Sequence, residues 1–231
     1  MRREINQFLS KNFGVKGSRT VISKLGQVIS EYDIDLVLDV GANTGQFAKD
    51  ISKVYSGDII SFEPAEVPFE ALRRASTGRP NWQVRRLALG AEERRERLNI
   101  SDRSDLNSFR THNSFGRQFS RIDAAADVEA VDVVRGSEFI RDHNLTGRKI
   151  LLKMDTQGYD LEVFAGFEDV LSSVCALMSE VAVIPLYDGM PHWLDSIASY
   201  ERAGFSVVKL EPVTAIDDCV IEYDCIMKRR C

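Results

Sequence analysis

The stretch Leu36-Val-Leu-Asp39-Val-Gly41-Ala-Asn43-Thr-Gly45-Gln-Phe47 constrains the chain more than any other. Leu36, Val37 and Leu38, with Val40 beyond them, form the short apolar run of a strand buried on both faces of a parallel sheet. Asp39 interrupts that run near its end. Gly41 and Gly45 allow a tight turn and a close approach of the backbone to a bound molecule, and helical spacing resumes at Phe47, Ala48 and Ile51. A strand, a glycine turn and a helix in succession make the geometry of a nucleotide site.

Two cofactor classes use that geometry. A dinucleotide fold carries three glycines as G-x-G-x-x-G, with the pyrophosphate on the helix N-terminus. This chain has Gly41-x-x-x-Gly45 and an acid two residues before the first glycine. Asp39 is wrong for a phosphate and right for a cationic or amine-bearing ligand, and S-adenosylmethionine carries a sulfonium, an ammonium and no phosphate. The segment Asp58-Ile-Ile-Ser-Phe-Glu63 reads as a second strand ending in a carboxylate, 22 residues after Gly41. A fold of this kind puts there the acid that accepts hydrogen bonds from ribose hydroxyls.

With 231 residues and 44% hydrophobic content, the chain can bury one substantial core. The expected organisation is an N-terminal helical segment over 1–34 and a cofactor-binding domain over 35–231, interrupted by an insertion at 91–135. No apolar run is long enough to span a membrane, and the opening Met-Arg-Arg-Glu-Ile-Asn has no signal-peptide core, so a cytoplasmic protein is expected. Cys175, Cys219, Cys225 and Cys231 lack metal-type spacing and are read as reduced thiols. The net charge of −5 argues against a nucleic-acid backbone as substrate.

In the N-terminal segment, Ile5, Phe8 and Leu9, then Val21, Ile22, Leu25, Val28 and Ile29, predict two amphipathic helices broken near Gly14 and Gly17. Pro64 to Ala75 reads as a crossover helix with Phe69 and Leu72 inward. Trp82 to Gly90 reads as a third strand, with Leu87 and Ala88 beside the adenine. Ala91 to Glu96 is a charge run expected in a solvated turn, and Arg97 to Ser101 alternates like a strand. The polar stretch 102–127, anchored by Phe109, Phe115 and Phe119, is expected to be a substrate-facing lid. Val128 to Val134 alternates again, and Ser137 is placed as the cap of a helix running to His143.

The second informative stretch runs from Ile150 to Glu162. An apolar strand ends in Lys153 and Asp155, and a turn at Gly158 leads into a helix. Ligands of open α/β sheets bind beyond the carboxyl ends of strands, so these charges belong to the crevice of Asp39 and Glu63. Val174 to Val181 is another strand, with Glu180 near its end. Pro185 to Trp193 is a turn-rich loop suited to an acceptor, and it holds His192. His112 and His143 are placed at the surface. A helix over 193–203 is expected to turn Leu194, Ile197 and Ala198 inward, and Phe205–Leu210 pairs with Val220–Met227.

Four separated motifs, Leu38-Asp39-Val-Gly41-Ala-Asn43-Thr-Gly45, Phe62-Glu63-Pro64, Leu152-Lys153-Met-Asp155 with Gly158, and Glu180, occur in the order of the FkbM family of S-adenosylmethionine-dependent methyltransferases, which the chain resembles over roughly residues 35 to 228. Where that family usually has Asp-x-Glu-Gly, this chain has Asp155-Thr-Gln157-Gly158. The resemblance implies a Rossmann-like class I methyltransferase fold: a mostly parallel seven-stranded α/β sheet, helices on both faces and an antiparallel late strand. It implies S-adenosyl-L-methionine held by Asp39, Gly41, Asn43, Gly45, Phe47, Glu63, Pro64, Leu87, Ala88 and Asp155. The implied reaction is O-methylation of a hydroxyl on a sugar, glycan or natural product, and the family also has members that act on carboxylates.

Methyl transfer to an aliphatic hydroxyl benefits from a general base. Asp155 is the expected base, with Glu180 as second carboxylate, His192 as the alternative and Lys153 orienting Asp155. For a carboxylate acceptor no base is needed and Lys153 would bind it. Asp155 and Glu180 could instead hold Mg²⁺ that binds a diol, but two carboxylates without an evident third ligand make this the minority reading. An NAD-dependent oxidoreductase and a non-catalytic binding protein are the competing readings, and self-association into a homo-oligomer is compatible with any of them.

Overall fold

The computed structural model describes residues 20–120 and 127–230, and the first of the two expected N-terminal helices lies outside them. Helix α1 covers 20–32 and is followed by β1 (Leu36–Val40), every residue of which is buried. Then come α2 (Gln46–Ile51), β2 (Asp58–Phe62), α3 (Glu66–Ser76) and β3 (Trp82–Arg85). Short strand β4 (Ala88–Gly90), β5 (Arg94–Ile100), α4 (Ser114–Ser120), β6 (Asp127–Arg135) and α5 (Gly136–Asp142) form the middle of the chain. The last part holds β7 (Ile150–Met154), α6 (Asp160–Ala165), β8 (Val174–Ala182), α7 (Trp193–Arg202), β9 (Phe205–Ile216) and β10 (Cys219–Arg229). No described helix is long and apolar enough to cross a membrane.

Seven strands form one sheet in the order β3-β2-β1-β7-β8-β10-β9, parallel except that β10 runs against both neighbours. Side chains alternate between faces, so Leu36, Leu38 and Val40 enter one core layer with Phe139, Val163, Phe164 and Tyr200 of α5, α6 and α7. Val37 faces the other layer, built with Val21, Leu25 and Val28 of α1, Ala48 and Ile51 of α2, and Leu72 of α3. Both faces are therefore covered, as a parallel sheet requires. The fold class expected from the sequence is the one observed.

Several local expectations are corrected. The stretch Trp82 to Gly90 is two strands: a bend at Arg86 and Leu87 carries the chain out of the large sheet, and β4 pairs with β6 in a second, three-stranded sheet. Half of the charge run after Gly90 is strand, because Arg94, Arg95 and Glu96 pair with β6. Ser137 does not cap α5. It is fully buried inside the first turn, and Arg135 occupies the cap position. Ile197 packs on the core as expected, but Leu194 is 55% exposed, and α7 also packs Trp193 and buries Ser196 and Tyr200. His112 is half-buried with its ring centroid 4.4 Å from that of Tyr187, where a surface position was expected. The final hairpin is longer than the alternation suggested, since Asp217 and Asp218 take positive φ in a two-residue turn that lets pairing continue out to Ile216 and Cys219. Cys175, Cys219 and Cys225 are free thiols, and Cys231 lies outside the described residues.

Gly41 ties the first turn to β7. Its φ is +74°, and a Cβ there would stand 1.9 Å from the carbonyl oxygen of Asp155. Gly41→Ala is expected to cost about 3 kcal/mol through that clash and the strained φ. Urea unfolding checks it, and a loss near zero would mean that β1 and β7 can separate at their ends.

Candidate active site

Strand register builds the floor of the site. Ser61, Asp39 and Lys153 are cross-strand partners on β2, β1 and β7, so the three side chains share one face in one row. Trp82 Nε1 donates to Ser61 Oγ (2.9 Å), Ser61 Oγ donates to Asp39 Oδ2 (2.9 Å), and Lys153 Nζ lies 3.1 Å from Asp39 Oδ1. Lys153 Nζ also donates to the Gly41 carbonyl (3.1 Å) and stands 3.5 Å from Asp155 Oδ2. Burial pulls the Lys153 ammonium towards deprotonation, but Asp39 and then Asp155 outweigh it, so its net direction is upward. Asp39 and Lys153 are each buried almost completely.

On the other half of the sheet stands a second row, made of carboxylates. Glu180 of β8 pairs with Asp224 of β10, which pairs with Glu211 of β9, and Asp155 follows Lys153 by two residues at the end of β7. Glu211 is matched by Lys209 at 2.8 Å. Glu222, two residues before Asp224, is 5% exposed with Oε1 unpartnered. Burial, joined by the surrounding acids, pushes Asp224 up to about 7 and raises Glu180. Burial also pushes Glu222 up to about 7.

Above these rows lies a cleft with two lobes, both bordered by Gly41, Asn43, Asp105, Asp155, Glu180 and Val213. One lobe, about 330 Å³, is lined by Glu63, Pro64, Leu87, Ala88, Phe109 and Tyr159 among others. The other, about 340 Å³, runs over Phe47, Lys153, Met178 and Asp224. Each volume suits part of a small-molecule site. Glu63 Oε2 accepts from the Asn43 backbone N–H (2.9 Å) and Oε1 from that of Ala65 (3.0 Å), while burial pushes its carboxyl up to about 7. Asn43 Oδ1 in turn accepts from Ser104 Oγ at 3.1 Å, which lays the 3-10 turn Ser104–Leu106 across the glycine turn.

The charges decide which ligand fits. In the first lobe Glu63, Asp105, Asp155, Glu180 and Glu222 face a single cation, Arg103, which is paired with Asp105 at 2.6 Å. In the second, Lys153 is held by Asp39 beneath the surface. A pyrophosphate would meet carboxylates here, whereas a ligand bearing a sulfonium and an ammonium meets complementary charge. The donor set therefore fits S-adenosylmethionine and not a dinucleotide.

The comparisons with known proteins agree. Residues 39–216 match the Methyltransferase FkbM domain. The chain belongs to the FkbM methyltransferase family. Among curated proteins, Methyltransferase 1 of Beauveria bassiana (strain ARSEF 2860) is 26% identical over 220 residues, covering 90% of this chain and 86% of that one. Among solved structures, magnesium protoporphyrin IX methyltransferase from Synechocystis PCC 6803, with bound SAM, superposes with a TM-score of 0.52 at 11% identity, covering 95% of this chain and 85% of that one. A SAM-dependent methyltransferase from Leishmania major superposes with a TM-score of 0.50 at 13% identity, covering 95% of this chain and 73% of that one. At such identities these two likenesses concern the fold.

In this FkbM methyltransferase, Gly41, Asn43, Phe47, Glu63, Pro64, Leu87, Ala88, Lys153, Asp155 and Glu180 all border the cleft. Three expected residues do not. Asp39 is sealed under the turn, so it meets Lys153 and Ser61 instead of a ligand. Gly45 faces the core, where a Cβ would come within 2.9 Å of Trp82 and Leu72. His192 precedes α7, bridged to Ala182 and edge-on to Trp193, away from the lining of either lobe. Lys153 is engaged by Asp39, the Gly41 carbonyl and Asp155. Sequence reasoning missed Glu222 and Asp224, whose signal was a pair of acids two apart in an otherwise apolar strand. It also missed Arg110, which donates to the Gly158 carbonyl (2.7 Å) and pairs with Glu162, fastening the 102–120 stretch to the turn after β7.

Proposed function

We propose that the chain transfers a methyl group from S-adenosylmethionine to a hydroxyl oxygen of a small-molecule or glycan acceptor, with Asp155 as general base. The observation that carries this reading is the position of Asp155: it borders both lobes and its side chain is 42% exposed, while its supports Lys153 and Gln157 are fixed from below and beside. S-adenosylmethionine supplies an electrophilic methyl carbon on a sulfonium. The chain's own residues do the rest. Glu63 offers carboxylate lone pairs to ribose hydroxyls, Gly41 lets the ligand lie against the backbone, and Leu87 and Ala88 give the base an apolar wall. Asp155 takes the acceptor hydroxyl proton, so that the oxygen lone pair is available for in-line attack. Leu186, Val213 and Phe119 add apolar lining to the first lobe.

A glycoside panel incubated with S-adenosylmethionine tests the reading by release of S-adenosylhomocysteine and by a product ether stable to mild base. A base-labile ester product would assign carboxyl methylation instead. Glu63→Ala is expected to weaken S-adenosylhomocysteine binding by about tenfold to a hundredfold, the worth of charge-assisted hydrogen bonds to two hydroxyls. Calorimetric titration measures it, and an unchanged affinity would remove Glu63 from the ribose site.

A further inference from the structure

Gln157 sits between the two carboxylates of the candidate active site. Its Nε2 donates to Asp155 Oδ1 at 3.3 Å and to Glu180 Oε2 at 3.1 Å. Its Oε1 accepts from the Tyr187 hydroxyl at 2.8 Å. The amide cannot be turned over, because the reversed orientation would aim Oε1 at both carboxylates. The backbone is held as well: Gln157 takes φ +53°, and Ser108 Oγ donates to its carbonyl at 2.8 Å. Tyr187 is 1% exposed, so the donor that orients the amide is itself locked in the core.

We propose that Gln157 is a positioning residue that keeps Asp155 Oδ1 and Glu180 Oε2 free of protons and sets the aim of Asp155. An N–H donated to a carboxylate oxygen is lost if that oxygen becomes protonated, so one amide biases two acids at once. That bias is needed at Glu180, where burial and the neighbouring acids oppose ionisation. The charged groups facing the pair are the acids Asp160 of α6, Glu222 and Asp224 of β10, Glu211 of β9 and Asp105 of the 3-10 turn, and the cations Lys153 and Arg103, the latter paired with Asp105. Any proton that burial leaves on Glu180 is directed to Oε1, away from the amide. A glutamate at 157 would reverse the arrangement by adding another carboxylate where the donor now stands.

The inference rests on Asp155 as the base, and its test separates the two ideas. Carboxyl-carbon NMR titration is run on the full chain, with signals assigned by Asp155→Asn and Glu180→Gln, for wild type, Gln157→Glu and Gln157→Met. In Gln157→Glu the midpoints of Asp155 and Glu180 are expected to rise by about one pH unit or more, as for like charges in a shared site. In Gln157→Met they rise too, while S-adenosylhomocysteine affinity stays within about twofold of wild type, since the lost bonds belong to the carboxylates. Unmoved midpoints in both variants would overturn the inference. So would a tenfold loss of S-adenosylhomocysteine affinity in Gln157→Met, which would place Gln157 on the cofactor. Shifted midpoints together with full methyl transfer by Asp155→Asn would leave the amide's role standing and remove the base.

Discussion

Asp155→Asn is expected to cut methyl transfer by about a hundredfold to ten-thousandfold while leaving S-adenosylhomocysteine affinity within a few-fold of wild type. The substitution keeps shape and volume and removes only the ability to take a proton. Glu180 does not replace it: burial raises its pKa, so it is the poorer candidate for an ionised base. His192 does not replace it either, because it borders neither lobe. Single-turnover rates beside calorimetry decide the matter. Parallel loss of rate and affinity would make Asp155 a ligand for the cofactor ammonium, and retention of both would take it out of the reaction.

Lys153→Met is expected to destabilise the chain by about 3–5 kcal/mol, the usual consequence of removing one partner from a buried ion pair. Methionine fills a similar volume, so the loss reports charge. Asp39 would be left with Ser61 as its hydrogen-bond donor, in a layer of apolar side chains that includes Val37, Ile59 and Leu151. Urea denaturation of Lys153→Met, Asp39→Asn and the double variant gives the coupling between the two residues. Additive losses would mean that the pair contributes nothing beyond its separate members. Strong coupling would make the ion pair the support beneath Gly41 and Asp155, the two positions where β1 and β7 meet the cleft.

The side of the cleft built by the glycine turn and Glu63 was legible in the sequence because each of its elements is local. The run Leu36–Leu38 with its glycines announces strand and turn, and the acid closing the next strand announces Glu63. What alternation cannot resolve is which of two charged neighbours points to a ligand and which to the core. Asp39 looked like a ligand for a cation, but its register opposite Lys153 and Ser61 turns it under the turn. Gly45 looked like a residue of close approach to a bound molecule, and Trp82 and Leu72 claim that space instead. His192 sat in a loop of the right composition, and the fold carried that loop's end to the head of α7.

The rest of the cleft was much less legible, for a physical reason. Its wall is assembled from β8, β9, β10 and the stretch 102–120, segments far apart in the chain whose proximity follows from strand order. Glu222 and Asp224 become site residues only because β10 inserts between β8 and β9. Gln157 reaches Glu180 only because β7 lies beside β8, and Tyr187 meets Gln157 across 30 positions of chain. The sequence by itself determined the layered α/β architecture, the glycine turn and the carboxylates at strand ends, because hydrophobic period, backbone freedom and side-chain chemistry are properties of short segments. Tertiary structure alone decided which of those carboxylates is sealed against a lysine, which share an amide and which stays open to the cleft, because burial and cross-strand register belong to the whole sheet.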